Sequence, residues 1–90
     1  MQDANLRNAI LKGTNLENAS LYRANLREAN LIDADLENAD LREANLRGAN
    51  LTNAKNADFR GANLREANFR GADFRGANLQ GAIIKNAKLY

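Results

Sequence analysis

Residues 24–48 read ANLRE-ANLID-ADLEN-ADLRE-ANLRG, five successive copies of one five-residue unit. Outward from this stretch, an apolar central residue recurs at every fifth position from Leu6 to Leu51, and the period resumes from Phe59 to Leu89. Ala precedes each central residue by two positions, with Thr14 as the one substitute. A fixed internal period determines the architecture of a chain before local propensities do. The apolar central residues that carry this period are therefore the predicted core. They are Leu6, Leu11, Leu16, Leu21, Leu26, Leu31, Leu36, Leu41, Leu46, Leu51, Phe59, Leu64, Phe69, Phe74, Leu79, Ile84 and Leu89.

The five-residue period is incompatible with a helix and with a flat strand. Ala, Leu, Arg and Glu favour helix, but a step of five residues advances about 140° around an α-helix, so the central residues would lie on every side. In a flat strand, an odd step sends successive central residues to opposite faces. The pattern is satisfied when the backbone turns once per pentad and each central residue faces a shared interior. The sequence therefore predicts a solenoid of stacked layers.

The other positions of the pentad agree with a chain that turns at every unit. The second position is mostly Asn or Asp, whose side chains hydrogen-bond nearby backbone and tolerate unusual dihedral angles. Long charged or polar side chains concentrate at the fourth position, which we predict to point outward. The glycines all stand at the last position, where a bending chain can need a positive φ; they are Gly13, Gly48, Gly61, Gly71, Gly76 and Gly81.

The motif A-[DN]-L-x-x, as in residues 24–28 (ANLRE) and 44–48 (ANLRG), resembles the repeat of the pentapeptide-repeat family. The resemblance extends from Ala4 to Tyr90. It implies an all-β fold, a right-handed quadrilateral β-helix with four pentads per coil and the Leu and Ala positions inside. Applied to this chain, it implies a single domain over residues 1–90 with about four coils. Many proteins of the family close an end with a helix, but this sequence leaves no room for one, so no helical cap is expected.

The period slips once, between Leu51 and Phe59, which are eight residues apart rather than five. Residues 54–56 (Ala-Lys-Asn) start a pentad that the next pentad, at Ala57, interrupts. Two arrangements are open. The three residues bulge outward and the face order of later pentads is unchanged, or they replace a shortened side and later pentads shift by one face.

A solenoid exposes apolar core and unpaired backbone at its two ends unless they are covered. In this sequence the repeat begins at Ala4, and the last central residue is followed by Tyr90 alone. Ile10 and Ile83 replace Asn or Asp near the two termini, and with Tyr90 they are candidates for an end-to-end contact between two copies of the chain. The alternatives are a repeat segment within a longer protein and ordinary sequence drift at these positions.

Outward side chains twenty residues apart are predicted to stack in columns. Arg7, Arg27 and Arg47 form one column, a candidate contact for an anion or a phosphate. Glu17 and Glu37 form another.

Two further arrangements follow from the same stacking. Tyr22 lies under Arg42, which predicts a cation–π contact. Four arginines at a spacing of five form a belt around one coil and not a stripe on one face: Arg60, Arg65, Arg70 and Arg75. Nucleic-acid binders usually combine a one-sided basic surface with aromatic side chains for stacking, and the phenylalanines here are all central residues. Nucleic acid is therefore not the expected partner.

Composition argues against most catalytic chemistry. The chain has no Cys and no His, and Ser20 is its only serine, so no thiolate metal site and no Ser-His-Asp arrangement can form. The aspartates at the second position, such as Asp35, Asp40, Asp58 and Asp73, have a structural explanation at the corners. We expect no enzyme activity, no cofactor and no metal. Since no apolar run approaches about 18 residues and no leader precedes the repeat, the expected location is cytoplasmic, without a membrane.

The charge distribution bears on the expected function. Net charge is +2, with −2 in residues 1–53 and +4 in residues 54–90. The family resemblance also suggests the function of a gyrase-protecting protein that mimics duplex DNA. Such a mimic requires a long, strongly acidic rod, and the net charge of this chain is positive. The expected function is a non-catalytic structural or protein-interaction module of a kind abundant in bacteria, especially cyanobacteria, with another protein or an end-to-end copy as its partner. The alternatives are a gyrase-binding DNA mimic, and anion or nucleic-acid contact through the arginine columns.

Overall fold

The structure is a computed structural model, and it describes residues 1–88. The chain winds as a right-handed quadrilateral β-helix with four complete coils and part of a fifth, and the described residues contain no helix. Strands β1 (Asn30–Asp35) and β2 (Asn50–Asn53) pair in parallel, and isolated parallel bridges join the remaining coils. The Cα trace measures 26 × 22 × 22 Å. The predicted fold class is confirmed.

Each pentad bonds to the next coil and closes its own turn. Leu26 N–H donates to the Asn45 carbonyl at 2.7 Å, and Glu28 N–H donates to the Arg47 carbonyl at 2.8 Å. Ala29 N–H donates back to the Leu26 carbonyl at 3.0 Å, which closes a four-residue turn. The Asn25 N–H donates to the Ala4 carbonyl of the preceding coil at 2.8 Å, and the Arg27 N–H donates to the Asn25 side chain. Because these five bonds recur around the coils, the backbone N–H groups are satisfied without a continuous sheet.

The corners depend on the last position of the pentad. This position has a positive φ throughout, both at glycine (Gly48, 71°) and at long side chains (Glu28, 61°), as residue i+2 of a type II turn requires. The second position serves another purpose: the Asn25 Oδ1 accepts the Arg27 N–H at 3.1 Å. The Asn and Asp side chains of the second position thus make the expected hydrogen bond to nearby backbone, but the positive φ lies at the last position of the pentad and not at theirs.

The central residues define four faces of the coil. The face that contains Leu6 is numbered 1, and the others follow in chain order. Face 1 is built on Leu6, Leu26, Leu46, Leu64 and Ile84. Face 2 is built on Leu11, Leu31, Leu51 and Phe69. Face 3 is built on Leu16, Leu36, Ala54 and Phe74. Face 4 is built on Met1, Leu21, Leu41, Phe59 and Leu79.

The first turn begins earlier than the sequence pattern indicates. Ala4 N–H donates to the Met1 carbonyl at 3.0 Å, and Asp3 N–H donates to the Tyr22 carbonyl at 3.0 Å. Met1 thus occupies a central position although its pentad lacks the Ala and Asn that mark the others. The prediction that the repeat begins at Ala4 is wrong for this reason.

The slip in the period is a shortened coil and not a bulge. Bridges that cross it join residues 18 apart, as in Asp40↔Asp58, whereas regular bridges join residues 20 apart. Ala54 is fully buried and its N–H donates to the Asp73 carbonyl at 2.9 Å, as a central residue does. Residues 53–56 therefore form a complete side, and later pentads shift by one face. Ala54 is not the first residue of an interrupted pentad, because the two missing residues lie between Thr52 and Asn53.

Thr52 makes the shortened corner possible. Its Oγ1 accepts the Asp33 N–H at 2.7 Å, in place of the carbonyl that a regular corner offers. Its own carbonyl accepts the Asp73 N–H at 3.0 Å from the following coil. One residue thus satisfies two backbone donors that separate residues satisfy elsewhere.

Burial of the core is complete in the middle coils and falls off toward the ends. The fully buried central side chains are Leu21, Leu26, Leu31, Leu36, Leu41, Leu46, Leu51, Phe59, Leu64 and Phe69, with Leu16 nearly so. Leu6, Leu11, Phe74 and Leu79 are partly buried. Ile84 differs from the predicted core, since it is 45% exposed in the last described coil, where no described coil packs over it. Leu89 lies outside the described residues.

Candidate functional site

A metal site and a membrane span each place requirements on the described residues. In residues 1–88, no group of three or more His, Cys, Asp or Glu side chains is arranged to hold a metal ion. Over the same residues, no helix has the length and apolar character that a membrane crossing requires. The outward positions of the four faces are therefore where a functional surface must be sought.

Face 1 carries a single file of cations along the full height of the rod. Backbone bonds from Glu28 N–H to the Arg47 carbonyl (2.8 Å), from Gly48 N–H to the Arg65 carbonyl (2.9 Å) and from Glu66 N–H to the Lys85 carbonyl (3.0 Å) set the register. We call this file the basic column; its members are Arg7, Arg27, Arg47, Arg65 and Lys85.

The predicted column of three arginines is thus longer by two cations. The sequence pattern missed Arg65 and Lys85, because a step of 18 residues, and not 20, crosses the shortened coil. The signal that could have found them is Ala54, which reads as a central residue when Asn53 is assigned to the second position.

Few carboxylates neutralise the basic column. Arg47 Nε donates to Glu66 Oε1 at 3.1 Å, and Arg27 Nε lies 3.8 Å from Glu28 Oε1. No other carboxylate of residues 1–88 lies within ion-pair distance of the column. Arg27 Nε is also buried without a hydrogen-bond partner, an uncommon state for a buried donor.

The second position offers the arginines of face 1 no carboxylate within their own pentads. This position is asparagine in the first four coils, and each amide oxygen accepts the backbone N–H of the cation two residues later, at 3.1 Å for Asn45 and Arg47. An amide carries no charge, so it leaves the guanidinium unneutralised. The residues are Asn5, Asn25, Asn45 and Asn63.

Three arginines at the fourth position of the pentad, on faces 3 and 4, are paired inside their own pentads. Arg42 donates from Nε to Asp40 Oδ1 and from Nη2 to Asp40 Oδ2, both at 2.8 Å. The same two-bond geometry joins Arg60 to Asp58 and Arg75 to Asp73. These bonds lower the pKa of each aspartate, that of Asp73 to about 2, and raise the pKa of each arginine. The corner aspartates thus have a structural partner.

Charge is segregated around the rod. Face 1 carries five cations and two carboxylates, and the adjacent face 2 carries three cations and one carboxylate. Face 3, opposite face 1, carries four carboxylates and two cations, and face 4 carries four carboxylates and three cations. The rod therefore has a positive side and a negative side although its net charge is only +2.

The basic column borders an open hollow of about 340 Å³. Its walls are Arg47, Arg65, Glu66, Lys85 and Asn86. A hollow of about 270 Å³ on face 4 lies among Tyr22, Arg42, Glu43, Arg60 and Gly61. The first brings together three cations and one carboxylate, which favours an anionic group.

The other surface arrangements predicted from the sequence are present in the structure. Arg42 Cζ lies 5.1 Å from the Tyr22 ring centroid, so the predicted cation–π contact is confirmed. Glu17 and Glu37 stack on face 3, where Lys55 and Arg75 continue their column. The arginine belt occupies four successive faces; it consists of Arg60, Arg65, Arg70 and Arg75.

The two predicted end-contact residues that the structure describes lie on different faces. Ile10 is 82% exposed in the first coil on face 2, and Ile83 is 42% exposed in the last described coil on face 1. Tyr90 lies outside the described residues. Self-association through the ends stays a prediction.

Comparison with known sequences gives the family. Residues 1–37, 19–55 and 55–89 match the sequence model of the pentapeptide repeats, in 8 copies. The chain belongs to the pentapeptide-repeat family. Comparison with curated proteins gave no match.

Solved structures agree. Rfr23, a pentapeptide repeat protein of the cyanobacterium Cyanothece 51142, is 42% identical, with a TM-score of 0.72 over 96% of this chain and 56% of that one. HetL of the cyanobacterium Nostoc sp. strain PCC 7120, involved in the regulation of heterocyst differentiation, is 30% identical, with a TM-score of 0.52 over 97% of this chain and 54% of that one. QnrB1, a plasmid-mediated fluoroquinolone resistance protein, shares the fold at 22% identity, with a TM-score of 0.60 over 86% of this chain and 46% of that one. The chain thus spans about half the length of these structures.

Proposed function

We propose that this chain is a non-catalytic module that binds another protein through outward side chains on a rigid solenoid. The observation that carries the proposal is the basic column of face 1, five cations in register with only two carboxylates beside them. Cations that the protein does not neutralise itself are available to a partner.

Rigidity supports the same function. Backbone bonds tie each pentad to its neighbouring coils, and the central residues of the middle coils are fully buried. Outward residues can therefore differ between faces without disturbing the core. A rigid surface loses little conformational entropy when a partner binds, which favours affinity.

Catalysis lacks comparable support. The shifted pKa values belong to aspartates that are paired with arginine at the corners, on open surface. A catalytic acid or base usually combines a shifted pKa with a cleft that excludes water. The hollows here are lined by long, solvated side chains, and the chain contains neither His nor Cys.

The charge pattern also weighs against the DNA-mimic alternative. A mimic of duplex DNA presents carboxylates over its length, whereas faces 1 and 2 of this chain each carry more cations than carboxylates. The resemblance to the resistance protein is one of fold. Partner binding through cations is the function that the surface supports best.

The arginine belt allows a matched test of the four faces. Arg60, Arg65, Arg70 and Arg75 hold the same pentad position in one coil, one on each face. Each is replaced singly by a photo-crosslinking residue, and the variants are irradiated in extract of the source cells. We expect protein adducts at Arg65, with fewer at the other three positions. Adducts at none of the four, or equally at all four, would contradict the proposal.

Self-association is measured in parallel by light scattering after size exclusion. If the adducts consist only of a second copy of this chain, the partner is the chain itself and a distinct protein is ruled out. Thermal melting followed by circular dichroism checks that each variant retains the fold.

A further inference from the structure

We infer that face 1 binds an acidic polypeptide segment laid along the basic column, parallel to the axis of the rod. The inference rests on the proposed function and adds to it the surface and the chemistry of the partner.

The basic column fixes the direction and length of the bound segment. Neighbouring strands lie about 4.8 Å apart, so five stacked cations span about 19 Å. An extended chain advances about 3.3 Å per residue, and some six residues cover that distance. The segment crosses the coils at right angles and does not add a strand to them, because the backbone groups between coils are already bonded to each other.

Face 1 offers donors in two parallel rows. The cations form one row, and the asparagines of the second position form the other. Because each asparagine oxygen accepts a backbone N–H, its amide nitrogen points away from the backbone, and none of these nitrogens donates to a protein group within residues 1–88. A carboxylate only accepts hydrogen bonds, so it complements both rows.

One carboxylate side chain of the segment fits the hollow beside Arg47, Arg65 and Lys85. Glu66 already accepts a hydrogen bond from Arg47 there at 3.1 Å, with its side chain 54% exposed. An exposed ion pair of this kind is weak, so an incoming carboxylate can displace Glu66. Glu66 therefore acts as an internal competitor for the same guanidinium.

Single-stranded nucleic acid fits face 1 less well. Single strands are held largely by bases stacked on aromatic side chains, and no outward position of face 1 in the described residues is aromatic. Tyr22 lies on face 4, with Arg42 over its ring. The phenylalanines are central residues, so they are not available for stacking.

The test measures fluorescence anisotropy with a labelled peptide of six glutamates and with a labelled DNA duplex, at low and at physiological salt. We expect the peptide to bind and to weaken as salt rises. The double variant N45D/N63D places a carboxylate two residues before Arg47 and Arg65, as Asp40 stands before Arg42. Since Asp occupies this position in other pentads, the fold is retained, and we expect peptide affinity to fall about five- to tenfold.

Two further variants separate the effect of the basic column on peptide affinity from the effect of the net charge of the protein. N15D/N78D adds the same two charges at the second position of faces 3 and 4, and we expect affinity to stay within about twofold. E66Q removes the internal competitor, and we expect affinity to rise about threefold. Circular dichroism confirms that all variants are folded.

Four results would overturn the inference. They are no peptide binding at low salt, equal losses in N45D/N63D and N15D/N78D, tighter binding of the duplex than of the peptide, and salt-dependent self-association that N45D/N63D abolishes. Photo-crosslinks on faces 2, 3 or 4 alone would refute this inference and leave the proposed function standing. Peptide binding along the column without a protein adduct at any of the four belt positions would do the reverse.

Discussion

Face 1 and face 4 carry arginine at the same position of the pentad, but the residue two positions earlier is asparagine on face 1 and aspartate on face 4. Arg42 on face 4 makes two bonds of 2.8 Å to Asp40, whereas Arg47 on face 1 reaches only Glu66, from the next coil. The two arginine side chains are almost equally exposed, at 45% and 46%. Exposure and residue type therefore do not identify the available cation. The pairing inside the pentad does.

The most severe way to break face 1 is to remove the core beneath it. Leu46 is fully buried in the middle of the stack, and L46D would place an unpaired carboxylate there. Burying a charge without a partner costs more than a domain of this size can tolerate. We expect loss of the cooperative thermal transition, measured by circular dichroism and differential scanning calorimetry.

R47A is the control for that substitution. Arg47 lies one residue further on and points outward, so we expect its loss to change the melting temperature by no more than a few degrees. Similar melting curves for the two variants would mean that the inside and outside positions are assigned wrongly.

A second substitution would make face 4 resemble face 1. In D40N/D58N, asparagine keeps the hydrogen bond to the backbone N–H but frees Arg42 and Arg60 from their carboxylates. We expect the affinity for the six-glutamate peptide to rise about three- to fivefold, because a second row of unpaired cations becomes available.

The matched control for this variant is E17Q/E37Q, which removes two charges from face 3 without releasing an arginine. If both variants raise the affinity equally, net charge and not pairing governs binding. That result would remove the distinction between the two faces.

A smaller expected effect is the change in stability at acidic pH that comes from the Asp73–Arg75 pair. The hydrogen bonds from Arg75 lower the pKa of Asp73 to about 2, from an ordinary value of 3.8. A lowered pKa in the folded state means that the pair stabilises the protein above about pH 3.8 and loses this contribution as pH falls toward 2. We expect the Asp73 carboxyl to titrate near 2 by nuclear magnetic resonance, and to titrate closer to 3.8 in R75Q. An unchanged midpoint in R75Q would mean that the pair does not form in solution.

Much of this architecture could be predicted from the sequence. A period of five leaves one arrangement in which all central residues face inward, so it predicts the solenoid and the outward positions. The cation–π contact between Tyr22 and Arg42 followed from the length of a regular coil. These features depend on the period alone.

The period alone left the shortened coil as one of two arrangements and did not decide between them. Ala54 is a small residue where other pentads have Leu or Phe, so it reads as the Ala that starts a pentad. Its central role depends on Thr52, whose hydroxyl replaces a missing backbone acceptor. This hydrogen bond is a tertiary contact between coils, and the residue pattern within one pentad does not predict it.

The period also does not predict how deeply the central residues near the ends of the solenoid are buried. Leu46 and Ile84 have the same place in the repeat and lie on the same face, but Leu46 is fully buried and Ile84 is 45% exposed. Burial in a stack requires a neighbour on both sides. A period gives each residue its direction but not its number of neighbouring layers.

The side formed by residues 53–56 has one more consequence. Because each side is a quarter of a coil, adding or removing one side rotates the whole downstream exterior by a quarter turn while the interior stays apolar. Deleting residues 54–56 leaves uninterrupted pentads, Ala49 to Asn53 and then Ala57 to Gly61. Arg70 would then follow Arg47 in the column in place of Arg65, and Arg65 would move to face 4. The combination of residues that meet on one surface can thus change in a single deletion, without any substitution on that surface.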